Sequence, residues 1–388
     1  MAEAGFRTPR AVVGLFSGIG GFELGLSRAG IKTTHICEND PAANSVLDKH
    51  FPKVERSLDI RDMTSLPTES DMVVAGFPCQ NLSSSGVKDG ITGSQSSLVG
   101  EVFRLLKRNP VEWVLIENVP FMLHLNRGAG IREVVENLES LGYSWAYRVL
   151  DSLYFGLPQR RRRVFILASL NYDPRSILLA QDDIVDEDAH RADDTALGFY
   201  WTEGRYSTGL SLGHVPPLKG GSGLGIPSSP AISFPDGFVG TPDIRDAERL
   251  QGFEANWTEA AEERHKPSVR WKLIGNAVSV NVAEWIGERL QSNDDYCELE
   301  DTLFSEEKWP QAAWNIGNGR FVSKASSSPC FIRRRNISEF LEYPLKPLSV
   351  RAASGFLKRA KAGNLRLPYE FLHSIERHLN SAEGIQAL

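Results

Sequence analysis

Over its first 170 residues the chain alternates short apolar runs with stretches that are apolar at every third or fourth position. The runs cover 11–16, 33–37, 72–77, 113–116, 145–150 and 163–170, and their composition is that of buried strands. Between them, 22–29, 42–50, 98–107 and 131–141 carry the apolar spacing of amphipathic helices. Strands that are apolar throughout and alternate with helices predict an open parallel sheet covered on both faces. The expected fold is therefore α/β and doubly wound.

The 388 residues suffice for two or three domains. No apolar run approaches the ~18–20 residues of a membrane span, and residues 1–10 lack the apolar stretch of a secretory signal. Cys37, Cys79, Cys297 and Cys330 are widely spaced. With no Cys-x-x-Cys pair, they argue against a zinc site and for a reducing, cytoplasmic compartment. The net charge of −6 conceals an asymmetry, since residues 308–388 carry 13 Lys+Arg against 5 Glu. Polyanion contact is thus expected in patches.

After residue 170 the alternation stops. Residues 182–194 are strongly acidic and read as a loop. Residues 216–237 hold five Gly, five Pro and four Ser, too many for a regular element. That composition fits a linker or a shaped binding loop equally. Helical spacing resumes at 243–251 and 278–290, and residues 300–388 read as a separate basic tail.

Polar groups gather where the predicted strands end. The first strand runs through Phe16-Ser17-Gly18-Ile19-Gly20-Gly21 into a helix, and such glycines let backbone amides approach a ligand. A full dinucleotide fingerprint would place Gly at position 23, where Glu23 stands, so an adenosine-type ligand without a pyrophosphate fits better. Glu38 ends the second strand, where an acidic side chain can hold ribose hydroxyls. Asp59 and Ile60 suit an adenine edge and face. The fourth strand exits at Pro78-Cys79-Gln80 and the fifth at Glu117-Asn118-Val119. Open α/β sheets bind ligands along this carboxyl edge. Cys37, inside a strand, reads as inert packing. Cys79, on a serine-rich loop, reads as a nucleophile that needs nearby positive charge. Arg161 and Arg163 are two apart before an apolar strand, so they are expected to share a face, with Arg160 and Arg162 opposite.

In this order and spacing the motifs resemble those of the bacterial and phage DNA (cytosine-5) methyltransferases. They comprise the Phe16–Gly21 turn, Pro78-Cys79-Gln80, Glu117-Asn118-Val119 and Gln159-x-Arg161-x-Arg163. An Arg245 to Phe253 segment and Gly275-Asn276-Ala277-Val278 follow. The resemblance implies a Rossmann-like S-adenosylmethionine-dependent domain over 1–170 and a smaller target-recognition region over 171–265. A return helix over 266–295 would complete the catalytic domain beside the first strand, and 296–388 would be a basic extension. Cys79, Glu117, Arg161 and Arg163 would be catalytic. Phe16, Gly18, Gly20, Glu38, Asp59, Ile60, Pro78, Leu98, Asn276 and Val278 would line S-adenosylmethionine. Gln80, Ser85 and Lys219 would contact DNA, helped by tail residues such as Arg333, Arg334, Arg335, Lys358, Arg359 and Lys361. The reaction would yield S-adenosylhomocysteine and use no metal. The implied setting is a cytoplasmic, nucleoid-associated monomer acting on double-stranded DNA, with a cognate restriction endonuclease acting separately and no membrane. The competing readings are a tRNA cytosine-5 methyltransferase, a catalytically silent DNA-binding regulator and a nucleotide-binding oxidoreductase.

Overall fold

The computed structural model describes residues 8–77, 98–181, 195–221, 229–292, 294–305 and 308–386. The chain divides into two compact units, one of 1–151, 162–183 and 278–331, the other of 152–161, 184–277 and 332–388.

The first unit opens with β1 (Val12–Leu15), α1 (Gly21–Arg28), β2 (Thr33–Cys37), α2 (Pro41–His50), β3 (Glu55–Ser57) and β4 (Met72–Ala75). It continues with α3 (Leu98–Arg108), β5 (Trp113–Asn118), α4 (Ala129–Ser140), β6 (Ser144–Asp151), β7 (Arg162–Ser169) and α5 (Arg175–Leu178). The second unit contributes β8 (Leu197–Phe199), β9 (Ser211–Leu212), β10 (Ala231–Ser233), β11 (Val239–Thr241), α6 (Ile244–Leu250) and α7 (Val269–Asn276). The chain returns to the first unit for α8 (Val280–Arg289), β12 (Thr302–Leu303), β13 (Ala312–Asn315) and β14 (Phe321–Val322). It ends in the second with α9 (Ile337–Phe340), β15 (Lys346–Pro347), α10 (Val350–Ala362) and α11 (Tyr369–Gln386).

Among the described residues the first unit holds one sheet in the order β12-β14-β13-β6-β7-β5-β4-β1-β2-β3. Strands β3, β2, β1, β4 and β5 are parallel, as the alternation predicts. The expectation of a wholly parallel sheet does not extend further. β7 lies antiparallel to both β5 and β6, and β13 adds antiparallel to β6. Antiparallel neighbours need no helical crossover, and none intervenes between β6 and β7. The parallel order 3-2-1-4-5 reverses between β1 and β4, the switch point at which doubly wound sheets form a ligand crevice. The β1 exit carries the glycine turn, and the β4 exit leads to Gly76 and Phe77. α8 packs on α1 through small residues: a Cβ on Gly25 would stand 2.6 Å from the Ala283 Cβ, and one on Gly287 2.7 Å from that of Ala29.

The basic tail is not a separate unit. Its first part, through β14, extends the large sheet, with Trp314 stacked on Phe321 at 4.4 Å. The rest completes the second unit, where β15-β11-β10-β8-β9 form an antiparallel sheet. Phe199 of β8 packs against Phe356 of α10 and Phe371 of α11, and all three are fully buried. The extension expected over 296–388 is divided because the apolar faces of 302–322 and 337–375 are consumed by two different sheets. Phe356→Ala should destabilise the second unit by about 3–5 kcal/mol, measurable as a lowered denaturation midpoint. A change below 1 kcal/mol would contradict this packing.

Candidate active site

At the β1 exit the backbone is strained. Phe16, Gly18 and Gly20 have φ of 57°, 57° and 87°, and Phe16 is the costly one because it carries a side chain. Its ring is held edge-to-face by Phe77 at 6.4 Å. The turn is tied to β2 by the Gly18 N–H, which donates to Glu38 Oε2 at 2.7 Å, while the Asp40 N–H donates to Oε1 at 2.7 Å. Both Glu38 oxygens thus fix the backbone and keep lone pairs for a further donor. Gly18 faces open space, with nothing within 4 Å of where a Cβ would stand. Gly21 closes the other side, since its Cβ would fall 2.6 Å from the Val278 carbonyl.

Beneath this turn lies a carboxyl that sequence reading treated only as a missing glycine. Glu23 is 1% exposed. Only glycine fits across from it in β1, because a Cβ on Gly14 would meet Glu23 Oε1 at 2.0 Å and Ser17 Oγ at 2.5 Å. Burial raises the Glu23 pKa to about 7, with Ser17 opposing the shift and Glu38 adding to it. The only signal for it in the sequence was an acidic residue in the first turn of a helix that packs inward.

The candidate catalytic rim is formed by β5 and β7. Because β7 is antiparallel, its amino end lies at the carboxyl end of β5, with Asn118 opposite Val164 and Glu117 opposite Phe165. Arg163, two residues before Phe165, shares that face, and its Nε donates to Glu117 Oε1 at 2.9 Å in a nearly buried pair. A Cβ on Gly76 would lie 3.7 Å from both Glu117 Oε2 and Val278 Cγ2, so the β4 exit, Glu117 and the Val278 segment converge. Asn118 Nδ2 donates to the Phe77 carbonyl at 3.0 Å and fixes the backbone that enters 78–97. Pro78, Cys79, Gln80 and Ser85 lie outside the described residues.

The other expected site residues fall as follows. Asp59 caps a short turn and is ion-paired with Arg61, which holds its carboxyl below the ordinary value. Ile60 is buried in the core. Leu98 opens α3 half-buried against that core. Cys37 is buried and its thiol is pushed up to about 12 by desolvation, in keeping with inert packing. Among the described residues no group of three His, Cys, Asp or Glu could hold a metal ion.

Arg161 does not share a strand face with Arg163. β7 begins at Arg162, and Arg161 belongs to the second unit. There its guanidinium donates to the carbonyls of Leu218 (3.0 Å), Gly275 (3.1 Å) and Ala277 (2.7 Å). Gln159 donates to the Leu250 carbonyl and accepts from the Leu218 N–H, both at 2.8 Å, and Gln251 donates to the Ile274 carbonyl at 2.9 Å. Asn276 ends α7 in the same unit, and its Oδ1 lies 2.8 Å from where a Cβ on Gly220 would stand. Lys219 is likewise engaged, ion-paired with Glu203 and 3.7 Å above the Tyr200 ring. In the tail, Arg359 donates to the carbonyls of Trp201 and Glu203, Arg334 to that of Gly213, and Lys361 pairs with Glu376. Arg334, Arg359 and Lys361 are thus engaged within the second unit, whereas Arg333, Arg335 and Lys358 are exposed.

With this geometry in view, the relatives are informative. A type II methyltransferase of Bacillus subtilis strain 168, M2.BsuMI, is 47% identical over 380 residues, 94% of this chain and 97% of that protein. The chain belongs to the C-5 cytosine-specific DNA methylase family. The family model matches residues 11–196. The type II methyltransferase M.BanI of Aneurinibacillus aneurinilyticus is 34% identical over 193 residues, 48% of this chain and 44% of that protein. In fold, the chain is similar to the crystal structure of S. pombe Dnmt2 methyltransferase, with TM-score 0.51 and 16% identity over 73% of this chain and 98% of that one. This methylase is accordingly a DNA cytosine-5 methyltransferase by class.

Two predictions follow from the methylase's buried polar groups. Glu23 is easier to protonate folded than unfolded, so its contribution to stability is greatest below pH ~4.5 and is lost as pH rises through about 7. Glu23→Gln should therefore gain on the wild type between those limits, reaching on the order of 3 kcal/mol at pH 8. Parallel denaturant curves at pH 5 and pH 8 with a constant difference would contradict it. Arg161→Leu should cost at least ~3 kcal/mol by leaving three buried carbonyls unpaired. Arg161→Lys should recover only part of that, because an ammonium lacks the guanidinium fork.

Proposed function

We propose that the chain transfers a methyl group from S-adenosylmethionine to C5 of cytosine within a specific DNA sequence, with Cys79 as nucleophile. The biological role is protection of host DNA in a restriction-modification system. The observation that carries this reading is the Glu117–Arg163 pair at the rim of the sheet, beside the exit of the strand that leads to Cys79.

C5 of cytosine is a poor nucleophile because its electrons belong to the ring. Addition of the Cys79 thiolate to C6 gives an enamine that directs density to C5, dividing one hard step into easier ones. Glu117 holds the N3 and amino edge and supports protonation there as charge develops. Arg163 orients Glu117 and is the proposed partner of the base O2. Once C5 carries the methyl group that S-adenosylmethionine would supply, leaving S-adenosylhomocysteine, loss of the C5 proton lets the Cys79 thiolate depart and restores the ring. The target atoms are inaccessible in a stacked duplex, so the base must be flipped out at a cost of a few kcal/mol.

The residues at the switch point suit the methyl donor. Gly18 leaves open space at a strained turn, Glu38 retains acceptor capacity beside it, and Phe16 and Val278 flank the crevice. Asp59, Ile60, Leu98, Pro78 and Asn276 complete the proposed lining. S-adenosylmethionine supplies the electrophilic methyl group. The second unit, with its small antiparallel sheet and the glycine-rich 216–237 segment, is the proposed target-recognition element, and a folded unit of this size favours DNA over tRNA. Gln80 and Ser85 are proposed to meet DNA from the Cys79 loop.

Sequencing DNA from cells that express the chain should map 5-methylcytosine to one recurring sequence. Cys79→Ser should abolish that mark while DNA and cofactor still bind, and Glu117→Gln should slow transfer by roughly 10²–10⁴. Turnover retained by Cys79→Ser would overturn the covalent mechanism.

A further inference from the structure

Past the β5 exit the chain makes two short turns, Pro120–Leu123 and Leu125–Arg127, before α4. Asn126, Arg127 and Gly128 are left-handed in succession, with φ of 49°, 57° and 76°. Two of the three carry side chains, a strain of order 1–3 kcal/mol each that surrounding structure must hold. Trp309 does so: a Cβ on Gly128 would stand 2.1 Å from its Cδ1. Trp309 is itself 2% exposed and is packed on Phe304 at 4.8 Å, with the Arg132 and Arg320 guanidinium groups 5.9 Å and 5.7 Å from its ring.

This braced loop, the first residue of β7 and the 308–311 segment line a half-open cavity of about 360 Å³. His124, Arg162 and Lys308 line it with Leu123, Trp309 and Gln311, and the described lining contains no carboxylate. Arg162 Nη2 donates to Gln311 Oε1 at 2.7 Å, which sets the guanidinium in the wall. Arg162 directly precedes Arg163, so the cavity begins one residue from the Glu117–Arg163 pair, on the opposite strand face. Three cationic or basic groups with an apolar floor suit a phosphate attached to a sugar, and contacts of that kind position a strand without reading its sequence.

We infer that this cavity seats a backbone phosphate of the DNA strand and holds the duplex in place while the target base is presented to the rim. The inference rests on the reading of Glu117 and Arg163 as the cytosine site. A free nucleotide would bring the same phosphate chemistry, but the adjacency to the base site favours the strand.

The test uses the full chain and two duplexes, one with the mapped methylation sequence and one without. Lys308→Gln should weaken both by a similar factor, roughly fivefold, and lower the slope of log Kd against log salt by about 1. Lys308→Arg should restore both, and transfer at saturating DNA should be unchanged. Arg162→Gln should give the same signature. Unaltered Kd and slope in Lys308→Gln and Arg162→Gln would overturn the inference. So would saturable binding of thymidine 5′-monophosphate, lost in Lys308→Gln while DNA binding is unaffected, which would assign the cavity to a free nucleotide. If the wild type leaves no 5-methylcytosine, the functional reading fails instead, whatever the salt slopes show.

Discussion

The active rim depends on one antiparallel strand in an otherwise parallel half-sheet. Were β7 parallel to β5, its amino end would lie at the opposite edge and Arg163 could not reach Glu117. The reversed direction brings residues 46 positions apart in sequence to 2.9 Å. A nearly buried ion pair of this kind contributes little net stability, because desolvation offsets most of the Coulombic gain. Its value is positional: the Arg163 guanidinium fixes the orientation of the Glu117 carboxylate at the rim. Asn118, the next residue, fastens the backbone that enters the Cys79 segment.

The crevice at the switch point rests on unusually small residues and on one neutral acid. Gly14 makes room for Glu23, Gly21 for the Val278 carbonyl, and Gly25 for α8. Burial raises the Glu23 pKa to about 7, and a neutral carboxyl is what this buried layer beside Glu38 tolerates best. The same crowding explains why the strained Phe16 conformation persists, since its ring is pinned by Phe77.

Several motif residues are architectural in this methylase. Gln159, Arg161 and Gln251 spend their hydrogen bonds on backbone carbonyls and amides of the second unit, where they fix the approach to Asn276. The basic tail behaves similarly. Arg359 braces the loop after β8, and Phe356 and Phe371 close the core over the small sheet. Charge along a chain reports what could meet a polyanion, and the folded partners decide how much of that charge is already engaged.

By itself the sequence determined the strand–helix alternation through residue 170, the glycine turn, and the placement of Glu38 and Glu117 on one edge. These are local: apolar spacing sets secondary structure, and parallel strands share an exit edge. The proposal of Cys79 as nucleophile rests on the sequence, through its motif. Tertiary structure alone decided the direction of β7, the division of 296–388 between two sheets, the burial of Glu23, and the separate duties of Arg161 and Arg163. Each of those depends on which distant apolar face or carbonyl a residue meets, and a linear pattern carries no record of pairing across a hundred residues.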